Sequence, residues 1–185
     1  MKVSQIAKIC KELANLDLPP NCYQTEGDDY SASDCAKLLL VASNIVLEDL
    51  YCNWTPSLSK TVISSQNGFV DTQSLLLHSV VRLTDSQGND VTYRYTERGL
   101  FLDTDGTFNL LYSKLPPQVG WNDQFVLPSP RITPRIFAYG VLAEYFHSIA
   151  DDVQTQRYQS KYHDALRIAT RKLSPMKIPA RRWWK

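Results

Sequence analysis

The chain is short of the residues that usually carry chemistry. It has three histidines, four cysteines and seven glycines in 185 positions. No HExxH, GxSxG or phosphate-binding GxxxxGK[ST] occurs, which removes the sequence handles of zinc proteases, serine hydrolases and P-loop enzymes. Cys10, Cys22, Cys35 and Cys52 are widely spaced, with no CxxC pair and no nearby histidine. A structural zinc site normally needs such close pairs, so free thiols and no metal are expected. No apolar run approaches the ~18 residues of a membrane-spanning helix, so no membrane partner is expected. The opening MKVSQIAKICKELANL alternates charged and apolar residues instead of building the apolar centre of a signal peptide, and a reducing compartment is the expectation. With 43% apolar and 11% aromatic residues, the chain has enough material for a sizeable core.

Helical periodicity marks both ends. Ile6, Ile9, Cys10, Leu13 and Leu16 recur on one face, and Pro19 and Pro20 stop that helix. Ser31, followed three positions later by Asp34, resembles a capping box. Behind it Cys35, Leu38, Leu39, Ala42, Ile45, Val46 and Leu50 trace a second helical face that Leu40, Val41 and Leu47 widen, ending near Trp54. Thr133-Pro134 supplies a capping hydroxyl and a first-turn proline for a third helix, RIFAYGVLAEYFHSIA. That helix is apolar nearly all round, as a central helix should be. Gly140 within it predicts the close approach of another backbone. Asp151 or Asp152 caps a fourth helix with Tyr158, Tyr162, Leu166, Ala169 and Leu173 on its inner stripe.

Between the helical halves the pattern changes. TVISS, LLLHSVVRL, VTYRY, LFL and TFNLLY are short, β-branched and aromatic runs separated by the turns QNG, DSQGND, ERG and DTDG. They predict an antiparallel β-meander, with RYTERGLFLDTDGTFNLLY as two hairpins in series. The proline-punctuated KLPPQVGWNDQFVLPSPRIT connects it to the third helix, with Trp121 and Phe125 as its expected anchors. The fold expected is α+β. A bundle of about four helices comes from residues 1–56 and 131–173. The β-meander and proline-rich loop are inserted at 57–130, and 174–185 forms an extended C-terminal arm.

Charge is divided unevenly. Residues 157–185 hold nine Lys or Arg and one acid, Asp164, for a net +8; since the whole chain carries +1, the remainder stands at 1 − 8 = −7. Such a division points to an oriented partner or a polyanion. The chain ends PMKIPARRWWK, too short a stretch to bury two tryptophans by itself. Trp and Arg concentrate binding energy at interfaces, and Pro175 and Pro179 keep the segment extended, which lowers its ordering cost. Docking on another chain explains this tail better than packing on its own domain.

Single groups carry less. His78, His147 and His163 fall on different elements, and neighbouring helical residues such as Tyr162, His163 and Asp164 do not face one another. Glu144 lies in an apolar stretch, where a capped or salt-bridged glutamate, for instance one paired with an arginine of the fourth helix, is the expected arrangement. DTDGT lacks the ligand run of a calcium loop and reads as a turn. Arg167, Arg171 and Lys172 are candidates for DNA or subunit contact, without any helix-turn-helix, finger or aromatic RNA motif beside them. No enzyme activity, cofactor or catalytic residue is expected.

Two helices, a β-insert, then ITPRIFAYGVLAEYFHSIADDVQTQRYQSKYHDALRIATRK resembles the head–tail connector (adaptor) proteins of tailed bacteriophages, related in architecture to the tail tubular proteins of short-tailed phages. The likeness is strongest over residues 131–173 and weaker back to about residue 31. It implies a structural virion protein at the head–tail junction (neck), made in the bacterial host cytoplasm. It implies a ring, commonly of twelve copies, beneath the portal protein and continuing the DNA channel for genome ejection, with a lower neck or tail protein as a further partner. Contact with double-stranded DNA would be transient and nonspecific. Carried over by position, residues 174–185 are the arm that grips the portal. Pro175, Lys177, Ile178 and Pro179 form its extended lead, and Arg181, Arg182, Trp183 and Trp184 its contacts. The alternative is a DNA-binding accessory protein whose basic C-terminal arm holds phosphate.

Overall fold

The computed structural model describes residues 1–18 and 33–171. Its architecture is α+β: four helices enclose one core, and six strands form two small antiparallel sheets around another.

Helix α1, Val3–Ala14, buries Val3, Ile6, Ala7 and Cys10 at helical spacing. It ends before the prolines because Asn15 turns left-handed at φ 52°, a conformation asparagine tolerates at a helix C-terminus. Helix α2, Asp34–Asp49, is capped by Ser33, whose hydroxyl accepts from the Ala36 amide at 3.3 Å. Ser33 therefore holds the capping role expected of Ser31, which lies outside the described residues. Ala36, Leu39, Ala42, Val46 and Leu47 are buried. Buried Ser43 satisfies its hydroxyl by donating to the Leu39 carbonyl at 2.7 Å. Ile45, expected on the inner face, is exposed, as is Val41. After Asp49 the helix widens into a π-helical turn, Leu50–Trp54, that closes with the Thr55 amide on the Leu50 carbonyl at 2.8 Å.

The strands are β1 (Leu58–Ser65), β2 (Phe69–Asp71), β3 (Leu77–Thr84), β4 (Tyr93–Thr96), β5 (Gly99–Leu102) and β6 (Gly106–Lys114). Their order is not that of a meander. One sheet runs β1-β6-β3 and the other β2-β5-β4, every pair antiparallel. Asn67 and Gly68, at φ 53° and 73°, make the tight β1–β2 turn that QNG predicts. The β4–β5 hairpin through Glu97 and Arg98 is also as read. The second expected hairpin does not form, because β6 leaves β5 and inserts between β1 and β3. The reason is burial: β6 turns Phe108, Leu110 and Tyr112 inward against Ile63, Leu83, Val70, Leu100 and Leu102. A central strand buries that face better than an edge strand would.

The connection after β6 is held where expected. Trp121 and Phe125 are buried in the helical core, and the backbone joins α1 through the Ser4 amide on the Trp121 carbonyl at 3.1 Å. Asn44 on α2 pairs with Val119 in both directions, its side-chain amide donating at 3.1 Å and its oxygen accepting at 2.8 Å. These bonds satisfy backbone groups that a buried loop would otherwise leave unpaired.

Helix α3, Pro134–Ser148, starts on Thr133, whose hydroxyl accepts from the Ile136 amide at 3.3 Å. It packs on α1, α2 and α4, and Phe137, Ala138, Val141 and Leu142 are fully enclosed. Gly140 admits side chains rather than a backbone: a Cβ there would come 2.9 Å from both Val46 Cγ1 and Tyr162 Cε2. Helix α4, Asp152–Thr170, is capped by the Asp151 carboxylate on the Gln154 amide at 3.1 Å and turns Tyr158, Tyr162 and Leu166 inward.

Candidate functional site

The structure separates the groups that chemistry would need together. His78 is exposed on β3, His147 is exposed near the end of α3, and His163 lies against the Trp54 ring, 5.9 Å between centroids. Among the described residues no three His, Cys, Asp or Glu side chains are grouped as metal ligands. Asp105 of DTDG is engaged in a turn: its carboxylate accepts from the Gly68 amide at 2.7 Å and the Ser65 hydroxyl at 3.2 Å. Those bonds, the Gly68 amide first, hold its pKa below the usual carboxylate range. Glu144 is half-buried. The ion pairs among the described residues are Lys37–Asp34 and Arg82–Asp90, and a pairing of Glu144 with an arginine of α4 is not among them. No described helix is long and apolar enough to cross a membrane.

The carboxylate that does hold α4 is Asp49 on α2, which accepts from the Tyr162 hydroxyl at 3.0 Å. Burial pushes the Tyr162 phenol far above the ordinary tyrosine range, and the charge and hydrogen bond of Asp49 add to the push. Tyr145 moves the same way, up to about 12, through burial and then its hydrogen bond with Cys35. The unfolded chain releases tyrosine protons near ~10, whereas the folded protein holds that of Tyr145 until about 12. Stability is therefore complete below pH ~10 and falls as pH rises through that window. Alkaline titration should show tyrosinate absorbance and loss of helical circular dichroism rising together. Tyr162→Phe, which leaves Asp49 without its phenol donor, should cost ~1.5–3 kcal/mol in denaturant melts.

What remains is surface, and two parts of it are distinctive. The first is basic. Arg167 and Arg171, singled out from the sequence, are exposed at the end of α4; Lys172 lies outside the described residues. The antiparallel α3–α4 hairpin brings two more arginines to the same end. Arg131 donates to the Arg171 carbonyl at 3.3 Å, and Arg135 donates to the Tyr139 hydroxyl at 2.8 Å. Sequence reasoning missed Arg131 and Arg135. The signal available was the short break at residues 149–151, which folds α4 back along α3 and so returns its last turn to the start of α3. Farther along the hairpin Lys161 sits over the Tyr158 and Tyr139 rings at 5.0 and 5.7 Å, where ring faces offset its charge.

The second is a groove of about 610 Å³ between α2 and the connection, in which the apolar Val41, Ile45, Leu76, Leu115, Pro116 and Pro117 are joined by Asn44, Glu48 and Gln118. It lies where the helical and β parts meet, which explains why Val41 and Ile45 are not covered by the helical core. Leu58 and Val62 on edge strand β1 are also exposed.

The portal-binding residues expected from the sequence, Pro175, Lys177, Ile178, Pro179, Arg181, Arg182, Trp183 and Trp184, lie outside the described residues. The chain reaches them from Arg171, beside Arg131.

No protein-family model matches this chain, and no curated protein is similar to it at a significant level.

Proposed function

We propose that the chain is a structural head–tail connector: a ring component that sits below a portal protein, continues a DNA channel, and is fastened by its C-terminal arm. The observation that carries this reading is where α4 delivers that arm. Gly140, Val46, Tyr162 and Asp49 pack α4 into the bundle, so the sequence bearing Trp183 and Trp184 follows on from a helix end set among exposed arginines. A fixed exit followed by a proline- and tryptophan-bearing sequence is suited to gripping another chain. The groove at Pro116 and Pro117 and the exposed β1 edge are the surfaces through which the lower neck or tail protein would be met.

Arg131 and Arg135 beside Arg171 favour a second reading, a DNA-binding accessory protein that holds phosphate with the same end and the basic arm. The two readings diverge on truncation after Ser174. A connector loses portal association, measured by co-sedimentation with the portal ring, while its circular dichroism and melting midpoint stay within ~0.5 kcal/mol of the full chain. Intact portal association together with lost duplex-DNA affinity and a shallower salt dependence decides for the accessory protein.

A further inference from the structure

Among the described residues the two three-stranded sheets leave four edges, and three of them are closed to another chain. β2 and β4 are only three and four residues long, and short edges resist pairing. β3 is eight residues long, but its ladder shifts register between Leu77 and Ser79 and again between Val80 and Arg82. Such bulges twist an edge away from a partner. Its outward groups are also taken. The Val80 amide donates to the Tyr95 hydroxyl at 2.9 Å, and the Leu83 carbonyl accepts from the Val91 amide at 3.0 Å. Arg82 pairs with Asp90 along the same flank.

β1 is different. It runs eight residues with no proline, in unbroken register with β6 along its whole length. The Lys114 amide donates to the Ser57 carbonyl at 2.9 Å, which sets the phase of that ladder. Ser59, Thr61, Ile63 and Ser65 turn their amides and carbonyls toward β6, and the alternate residues turn theirs away. The outward set is Leu58, Lys60, Val62 and Ser64, and none of these backbone groups has a partner among the described residues. Their side chains are exposed as well, Leu58 at 57% and Val62 at 62%. Both ends of the row are defined. Pro56 precedes it, and Gln66, the next outward residue, exchanges both backbone bonds with Phe69. The open stretch is therefore residues 58–64, with Thr61 at its centre.

We infer that β1 pairs antiparallel with β1 of a second copy, about a two-fold axis at Thr61, joining the two β1-β6-β3 sheets into one. Unpaired strand groups call for another extended strand with the same alternation, and among the described residues β1 itself is the edge that offers it. A two-fold axis makes such an edge its own complement. Centred on Thr61, the pairing uses every open group: Leu58 faces Ser64 of the second copy, and Lys60 faces its Val62. Moving the axis to Lys60 sets two lysines directly opposite each other, which is destabilising. Moving it to Val62 sets Leu58 against Gln66, whose outward groups Phe69 already fills. A slip of one residue sets outward groups against inward ones and loses the bonds. This pairing goes beyond the connector reading and does not depend on it. The same edge is one through which a lower neck or tail protein would be met, and that partner would displace the second copy.

The test is self-association of the full chain, followed by native mass and sedimentation across a range of concentrations. Val62→Pro deletes an outward amide and leaves the β6 ladder intact, because proline is tolerated on an edge strand where its nitrogen faces solvent. It is expected to raise the dissociation constant of the pair by at least ~100-fold, since each strand loses a bond and gains a ring in its partner's path. Val62→Lys and Val62→Glu keep every backbone group and read the register. Lysine at that position faces Lys60 of the second copy, and glutamate there pairs with it. The glutamate variant is expected to associate at least ~10-fold more tightly than the lysine variant. Hydrogen exchange reads the row itself. The amides of Lys60, Val62 and Ser64 should gain protection as concentration rises, while those of Thr61 and Ile63 are protected throughout. Circular dichroism reports folding, and if Val62→Pro does not fold, the lysine and glutamate variants and the exchange pattern carry the test. A parent chain with no concentration-dependent step in mass overturns the proposal. So does a step that Val62→Pro leaves unchanged, or amides at 60, 62 and 64 that ignore concentration. Equal association of the lysine and glutamate variants overturns the Thr61 register, and with it the pairing of β1 with itself.

Discussion

Gly99→Ala is expected to separate β2 from β5 and to cost at least ~3 kcal/mol, at the upper end of overpacking penalties. A Cβ at position 99 would overlap the Val70 carbonyl oxygen and crowd the Thr72 amide at 3.1 Å. Both are backbone atoms held in place, Val70 by pairing with Leu100 and Thr72 by the hydrogen bond its amide donates to the Arg98 carbonyl at 3.3 Å. No side chain can swing aside, so the strands must part. Val70 and Leu100 belong to the same buried cluster as Leu102, Phe108 and Leu110, and parting β2 from β5 opens that cluster to water. Hydrogen exchange resolves the effect by place. Amides of β2, β5 and β4 should lose protection, while those of α3, in the separate helical core, keep theirs. Equal loss in both would mean that the two cores unfold as one unit.

The helices were legible because their signals are local. Thr133 and Pro134, the inner stripe of Tyr158, Tyr162 and Leu166, and the Asp151 cap all sit within a few residues of what they determine. Even the cap of α2 was misplaced by only two positions, since Ser31 and Ser33 offer the same hydroxyl and the distinction lies in which amide each can reach. Strand order was less legible. Turn residues report that the chain reverses, and the Asn67-Gly68 and Glu97-Arg98 reversals are where they were read. They do not report which partner a strand then takes. β6 pairs with β1 and β3 because that arrangement buries Phe108, Leu110 and Tyr112, a choice made between residues 25 to 55 positions apart. The basic end shows the same division. Arg167 and Arg171 stand out in a run, whereas Arg131 reaches Arg171 from 40 positions away. The tryptophan-bearing arm, on which the functional reading leans most, is legible as composition and lies outside the described structure.

Trp121→Ala is expected to lower stability by ~3–5 kcal/mol, the range for truncating a large buried aromatic. Trp121 is 3% exposed and belongs to the helical core, although it lies in an irregular stretch. Its loss therefore does two things. It leaves a cavity beside α1 and α3, and it removes the side chain that fixes the carbonyl accepting from Ser4. The neighbouring Asn44–Val119 pair and Phe125 then hold the connection without its largest anchor. Because this connection joins β6 to α3, loosening it should blur the position of the β part relative to the helical part before either core melts. The measurement is a denaturant titration paired with hydrogen exchange. The Ser4 and Val119 amides should exchange faster at concentrations where α3 is still protected. A variant that loses less than ~1 kcal/mol, with both amides still protected, would mean that the indole adds little beyond the neighbouring bonds. The proline-rich connection would then be held by its backbone pairing rather than by aromatic burial.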